Sequence, residues 1–206
     1  MGTPITKRRG RPRAYDPDVA LQRAADAFWK AGYSGTSLDD ISAATGMNRP
    51  SLHAAFGDKR ELYLKALRRY WELKFVAMRD ALEGRSLGEA LMRAYEMALS
   101  IYFSAEAGAR GCFVVGTAIT EALEDSEIRD IVTTGFHKLD ADFEARFRLA
   151  QDTGELGKDA DPETLAVLAT GVMHTIALRA RAGTPRNELM QLARKAVAVI
   201  CGPGRD

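Results

Sequence analysis

Two cysteines in 206 residues cannot staple a fold, so Cys112 and Cys201 exclude a disulfide scaffold. No apolar run reaches the roughly 18 residues that span a bilayer. The N-terminus is charged where a signal peptide needs an apolar stretch, so a soluble, cytoplasmic protein is expected. Motifs of the common catalytic folds are also missing: there is no G-x-S-x-G elbow, no P-loop, no G-x-G-x-x-G and no H-E-x-x-H. Cys112, His137, His174 and Cys201 are far apart, with no C-x-x-C or H-x-x-x-H pair. Neither metal nor cofactor is therefore expected, and an enzyme is disfavoured.

Net charge is nearly absent too, at +1, but this balance hides an asymmetry. Residues 1–70 hold 13 Lys/Arg against 7 Asp/Glu, a net of +6. Residues 71–206 hold 16 against 21, a net of −5. Nucleic-acid contact by the N-terminal part alone would produce such a division. The basic excess is densest in Lys7-Arg8-Arg9-Gly10-Arg11-Pro12-Arg13, which carries five cations and no acid. By itself the run reads equally as a solvated tail. Placed before a DNA-reading unit, Arg8, Arg9, Arg11 and Arg13 read as a minor-groove or phosphate clamp.

That unit is legible in residues 37–70. Ser37-Leu38-Asp39-Asp40 is a capping box, and Leu38, Ile41 and Ala44 follow at helical spacing. Gly46 stops this helix, Asn48 can cap the next, and Pro50 fits its first turn. The second helix runs from Arg49 to about Phe56 and ends at Gly57. Asp58 with Glu61 forms another box and opens a long helix. A short helix set across another by a tight turn is shaped to enter the major groove. Upstream, Asp16 and Pro17 start a first helix with an apolar stripe of Ala20, Leu21, Ala24, Ala25 and Phe28, closed by Gly32. Arg49 can pair with guanine in bidentate fashion, whereas Asn48 reads equally as a plain helix cap.

Ala31-Gly32-Tyr33-Ser34-Gly35-Thr36-Ser37, Asp40-Ile41, Gly46-Met47-Asn48, Ser51 through Lys59, and Glu61-Leu62 resemble the DNA-binding domain of TetR-family transcriptional regulators. The likeness is specific over about residues 14–65 and weaker beyond. It implies an all-α homodimer: a basic arm (1–14), a three-helix DNA-binding domain (15–60) and a helical ligand-binding and dimerisation domain (61–206). It also implies phosphate contacts from Thr36, Ser37 and Lys59, and base-facing positions for Asn48, Arg49 and Ser51. Many relatives carry Tyr-x-Tyr-Phe where this chain has His53-Ala54-Ala55-Phe56. His53 can replace the first tyrosine only in part, and the second contact is lost at Ala55.

The rest of the chain reads as helices. A long one continues to Leu82, and Ser86 opens another through Tyr102. An apolar piece spans Cys112 to about Leu123, and Ser126 is expected to cap a long helix. The polar loop 152–161 looks the best candidate for disorder. Asp161-Pro162 and Thr184-Pro185 open two final helices joined at Gly183. Paired across a two-fold axis, such a hairpin makes a four-helix dimer interface; the alternative is packing within one chain. Candidate pocket residues are Trp71, Phe75, Tyr95, Tyr102, Phe103, Cys112, Phe113, Thr117, His137, Met173 and His174, each with an equally plain reading as core.

Ala109-Arg110-Gly111-Cys112-Phe113 resembles an Arg-Gly-Cys stretch in a branch of the family whose members include cysteine sensors of oxidants or electrophiles. Arg110 or a helix N-terminus at Gly111 could activate the thiol; the alternative is an inert buried cysteine. The expectation is a dimeric regulator, a repressor released from a palindromic operator by a small-molecule or reactive effector. An activator of the same fold, or a weakly specific DNA-binding adaptor, are the alternatives.

Overall fold

The computed structural model describes residues 15–84, 86–104 and 108–202. The basic arm, with Arg8, Arg9, Arg11 and Arg13, lies outside them. Among the described residues nine α-helices follow one another: α1 (Pro17–Ala31), α2 (Leu38–Thr45), α3 (Arg49–Phe56), α4 (Lys59–Leu82), α5 (Leu87–Tyr102), a single turn α6 (Ile119–Glu121), α7 (Ser126–Asp152), α8 (Pro162–Arg181) and α9 (Arg186–Cys201). A π-helical stretch, Val114–Ala118, leads into α6.

The starts are chemical. The Asp16 carboxylate accepts the N–H groups of Asp18 and Val19, with Pro17 in the first turn. Ser37 and Asp40 satisfy each other's backbone N–H groups, closing a full capping box, as do Ser86 and Glu89. Asp58 completes only its half, accepting Glu61 N–H at 2.8 Å. For α7 the cap is Asp125 rather than Ser126, because its carboxylate reaches both Glu127 and Ile128 N–H.

Helices α1–α3 close on Phe28, Ile41, Met47, Leu52 and Phe56. Leu38 and Ala44 turn outward, contrary to the expected α2 stripe. Thr45 is buried in their place, and its hydroxyl donates to the Ile41 carbonyl at 2.7 Å. Helix α4 runs unbroken from this head into the body, where Leu67, Trp71, Lys74, Met78 and Ala81 form its buried stripe. Around it, α5, α7, α8 and α9 pack as a bundle, with α8 against α7 and α9 against α5. The loop after α7 is tied down rather than loose. Leu156 is buried, and Gln151 Nε2 donates to the carbonyls of Gly157 and Ala160. No helix among the described residues is long and apolar enough to cross a membrane.

Candidate functional site: the helix-turn-helix and the cavity behind it

Gly46 makes the turn. It is left-handed (φ 71°), and a side chain there would strain the backbone. Asn48 Oδ1 then accepts Ser51 N–H at 2.9 Å and starts α3. With Leu52 and Phe56 buried, Asn48, Arg49, Pro50, His53 and Ala54 are left on the outward face, and Ser51 is half-buried beside them. The Asn48 cap uses only its oxygen, which leaves the amide N–H groups free to donate. Arg49 is already engaged: Nε and Nη2 form a fork onto the Asp39 carboxylate at 2.9 and 2.6 Å. That contact holds the guanidinium plane on the exposed surface and raises its pKa.

The flanking positions differ from one another. Ser37 is exposed, although its hydroxyl is shared with Asp40. Lys59 lies at the start of α4 with its ammonium 4.4 Å from the centre of the Tyr33 ring. Thr36 does not reach the surface. It is buried, and its hydroxyl donates to the Gly32 carbonyl at 2.6 Å, so its side chain packs the turn instead of facing phosphate.

Behind this head lies a cavity of about 390 Å³ between α1, α4 and α5, with Phe113 also in its wall. Gln22, Ala25 and Trp29 of α1 form one side; Ala66, Arg69, Tyr70, Leu73, Lys74 and Ala77 of α4 another; Met97, Ser100 and Ile101 of α5 a third. The candidates chosen from sequence do not converge there, and only Phe113 lines it. Trp71 and Phe75 stack on each other at 5.1 Å and border a separate groove against α7. The indole packs so tightly on α7 that a Cβ on Gly135 would lie 2.2 Å from Trp71 Cε2. Tyr95 and Thr117 are satisfied core groups, the first donating to Ala169 O and the second bonding Tyr63 Oη and Phe113 O. Met173 is fully buried. Tyr102 is buried, and its hydroxyl has no hydrogen-bond partner among the described residues. His137 is exposed on α7; its neighbour Phe136 turns inward and meets His174 at 4.9 Å. Burial, assisted by the Lys74 charge, lowers His174 to a pKa of about 4. No group of three or more potential metal ligands exists among the described residues.

Sequence reasoning missed Lys74. It follows Trp71 by three residues and precedes Met78 by four on an otherwise apolar stripe, which was the available signal. Only 1% of it is exposed, and its ammonium has no hydrogen-bond partner among the described residues.

Cys112 is buried, and Tyr70 Oη donates to its Sγ at 3.2 Å. Arg110 does not face the thiol. Its guanidinium stacks 3.8 Å from the Trp29 ring centre and bonds Asp26 on α1 at 2.6 Å. Gly111 has φ +67°, and a Cβ there would meet the Ala177 carbonyl of α8 at 2.5 Å. Its own carbonyl accepts Trp29 Nε1–H at 3.2 Å. The stretch before Cys112 is therefore pinned between α8 and the first helix of the head. A second tie is ionic: Arg60 binds Asp125 and Glu127, and Arg68 also reaches Glu127.

An exposed recognition helix set on a turn, joined by one helix to a bundle with a cavity, defines a DNA-binding regulator of the helix-turn-helix class. Comparison with known proteins places it further. The family described as bacterial regulatory proteins, tetR family, matches residues 20–66, and the tetracyclin repressor-like C-terminal domain matches residues 89–197. The chain belongs to the TetR family of transcriptional regulators. It is 30% identical to the HTH-type transcriptional repressor ComR of Escherichia coli (strain K12), over 92% of this chain and 90% of that one. It is 31% identical to the repressor BdcR of the same organism, over 65% and 68% respectively. A cysteine mutant of the TetR family regulator CifR, solved in complex with 26bp double-strand operator DNA, superposes with a TM-score of 0.82 at 33% identity, covering 91% of this chain and 98% of that one.

Proposed function

We propose that the chain is a cytoplasmic, homodimeric repressor that binds a palindromic operator and releases it when an effector occupies the body. The exposed face of α3 carries the reading: Arg49 contacts a base edge, with Asn48, Ser51 and His53 beside it. Ser37, Lys59 and the arm at Arg8, Arg9, Arg11 and Arg13 hold phosphates. Phosphate contacts position the protein, and Arg49 supplies sequence choice. In this reading residues 1–14 are the arm, 15–60 the DNA-binding domain and 61–206 the effector and dimerisation domain.

Dimerisation through α8 and α9 is supported by surface chemistry. No Asp, Glu, Lys or Arg lies between Glu163 and Arg179. Val167, Leu168 and Leu178 are each more than half exposed, as is Val199 of α9. A contiguous apolar face of this kind needs a cover. Two copies joined there would carry two α3 helices, which must stand about 34–36 Å apart to read successive major grooves. An effector works by favouring one spacing over another. Helix α4, which joins the two regions, and α1 are the levers, because both wall the cavity and pack in the head.

Cys112 offers a second trigger, since residues 110 and 111 hold α1 directly. Adduct formation at Cys112 would push on Tyr70 and on that attachment. The check is release of DNA by an electrophile from wild type and from Cys112→Ser; equal release from both removes this trigger. The primary test is selection of duplexes from a random pool at about 150 mM salt. An enriched inverted repeat is expected, and no enrichment would overturn the repressor reading.

A further inference from the structure

Burying an ammonium without an acceptor costs several kcal/mol, and a methionine would fill the same volume with no such penalty. Yet Lys74 lines the cavity, 1% exposed and without a hydrogen-bond partner among the described residues. Two ring faces are close, Trp71 at 5.2 Å and Tyr70 at 6.0 Å from ring centre to Nζ, and the Lys74 charge also reaches His174. The cavity's charged lining is of one sign. Among the described residues, Arg69, Lys74 and Arg110 contribute to it, and no Asp or Glu does. Two of these cations are already matched from α1, Arg69 by Asp18 and Arg110 by Asp26. Among the described residues that line the cavity, Lys74 is the cation left without a partner. Trp29, Tyr70, Leu73, Ile101 and Phe113 make the walls apolar, and Leu73 is 56% exposed at the rim.

We propose that this cavity binds an amphipathic organic monoanion, its carboxylate on Lys74 and its hydrocarbon body along the α1–α4–α5 walls. One unmatched cation calls for one negative charge. A carboxylate supplies the acceptor that the fold withholds, and a volume of about 390 Å³ is in the range of small-molecule sites. The apolar tail meets Trp29, so occupancy bears directly on the head. The role as effector rests on the repressor reading; the site itself does not.

The probe is sodium decanoate, with decanol and decylamine as matched controls. Both tryptophans of the chain, Trp29 and Trp71, lie at the cavity or beside Lys74, so intrinsic fluorescence reports binding. Wild type should bind decanoate saturably and at least about tenfold more tightly than decanol or decylamine. Lys74→Met should lose roughly 10- to 100-fold in decanoate affinity and keep its decanol affinity. Equal affinity of wild type for decanoate and decanol would overturn the proposal, as would full decanoate affinity in Lys74→Met. Should Lys74→Met fail to fold by circular dichroism, the wild-type ratio among the three probes decides. Operator affinity is measured separately. Decanoate binding that leaves it unchanged would uphold the site and remove its effector role. Sequence-specific DNA binding without any decanoate binding would overturn the site and leave the regulator intact.

Discussion

The head and the body treat buried polarity differently. In α1–α3 the buried hydroxyls of Thr36 and Thr45 are bonded to carbonyls, and a single buried side-chain atom, Ser42 Oγ, lacks a partner among the described residues. In the body, Trp71 Nε1, Lys74 Nζ, Tyr102 Oη and His174 Nε2 are all buried without one. The head is finished as it stands, and its polar chemistry faces outward to meet a polyanion. The body keeps buried polar atoms without partners among the described residues, which fits the effector chamber proposed above. One region presents a surface and the other, in the proposed reading, a container, and α4 belongs to both.

That contrast can be broken by salt first. If the head neutralises 6–10 phosphates, operator affinity should fall about 10³–10⁵-fold between 50 and 200 mM salt, while decanoate binding in the body changes little. Parallel titrations by anisotropy and tryptophan fluorescence check this, and an equally steep loss in both would erase the distinction.

The next effect is structural. Gly111→Ala meets both a positive φ and the Ala177 carbonyl, so a loss of about 2–4 kcal/mol in urea unfolding is expected. Gly157→Ala, with nothing within 4 Å, should be close to neutral.

Acid sharpens the comparison from the body's side. His174 has a folded pKa of about 4 against an ordinary 6.5, so the unfolded chain binds the extra proton between those values. Stability therefore falls as pH drops from 6.5 to 4, by roughly 2–3 kcal/mol, and levels off below. His174→Phe should flatten that window in thermal melts. Asp125, held at about 2 first of all by Arg60, adds a later loss as pH falls from about 3.8 toward 2.

Smallest are the changes on the DNA face. Arg49→Ala should relax choice at particular bases by about 1–3 kcal/mol, whereas Lys59→Ala should weaken all sequences alike and reduce the salt slope by about one. Asp39→Asn frees Arg49 from its fork and should blur the same bases that Arg49→Ala affects. Competition among half-site variants separates the two patterns.

The head was readable because its signals are local. Caps at Asp16, Ser37 and Asn48 and the stop at Gly46 act within four residues of the backbone groups they serve. The cavity was not, because it depends on which helix faces meet. His137 was chosen for its residue type, but Gly135, Leu139 and Phe143 mark the buried stripe of α7, and a position two residues from Gly135 points away from it. The resemblance implies a phosphate contact at Thr36, yet the Gly32 carbonyl accepts its hydroxyl. Lys74 was open to detection: a lone cation at the 67, 71, 74, 78 spacing is a charge on a core stripe.

The most direct measurement is titration of the selected inverted-repeat duplex, against a scrambled duplex of equal length, with binding stoichiometry followed by sedimentation. The account predicts at least two chains per duplex and a specificity ratio of about 10³ or more at 150 mM salt. One chain per duplex, or a ratio near one, would contradict it.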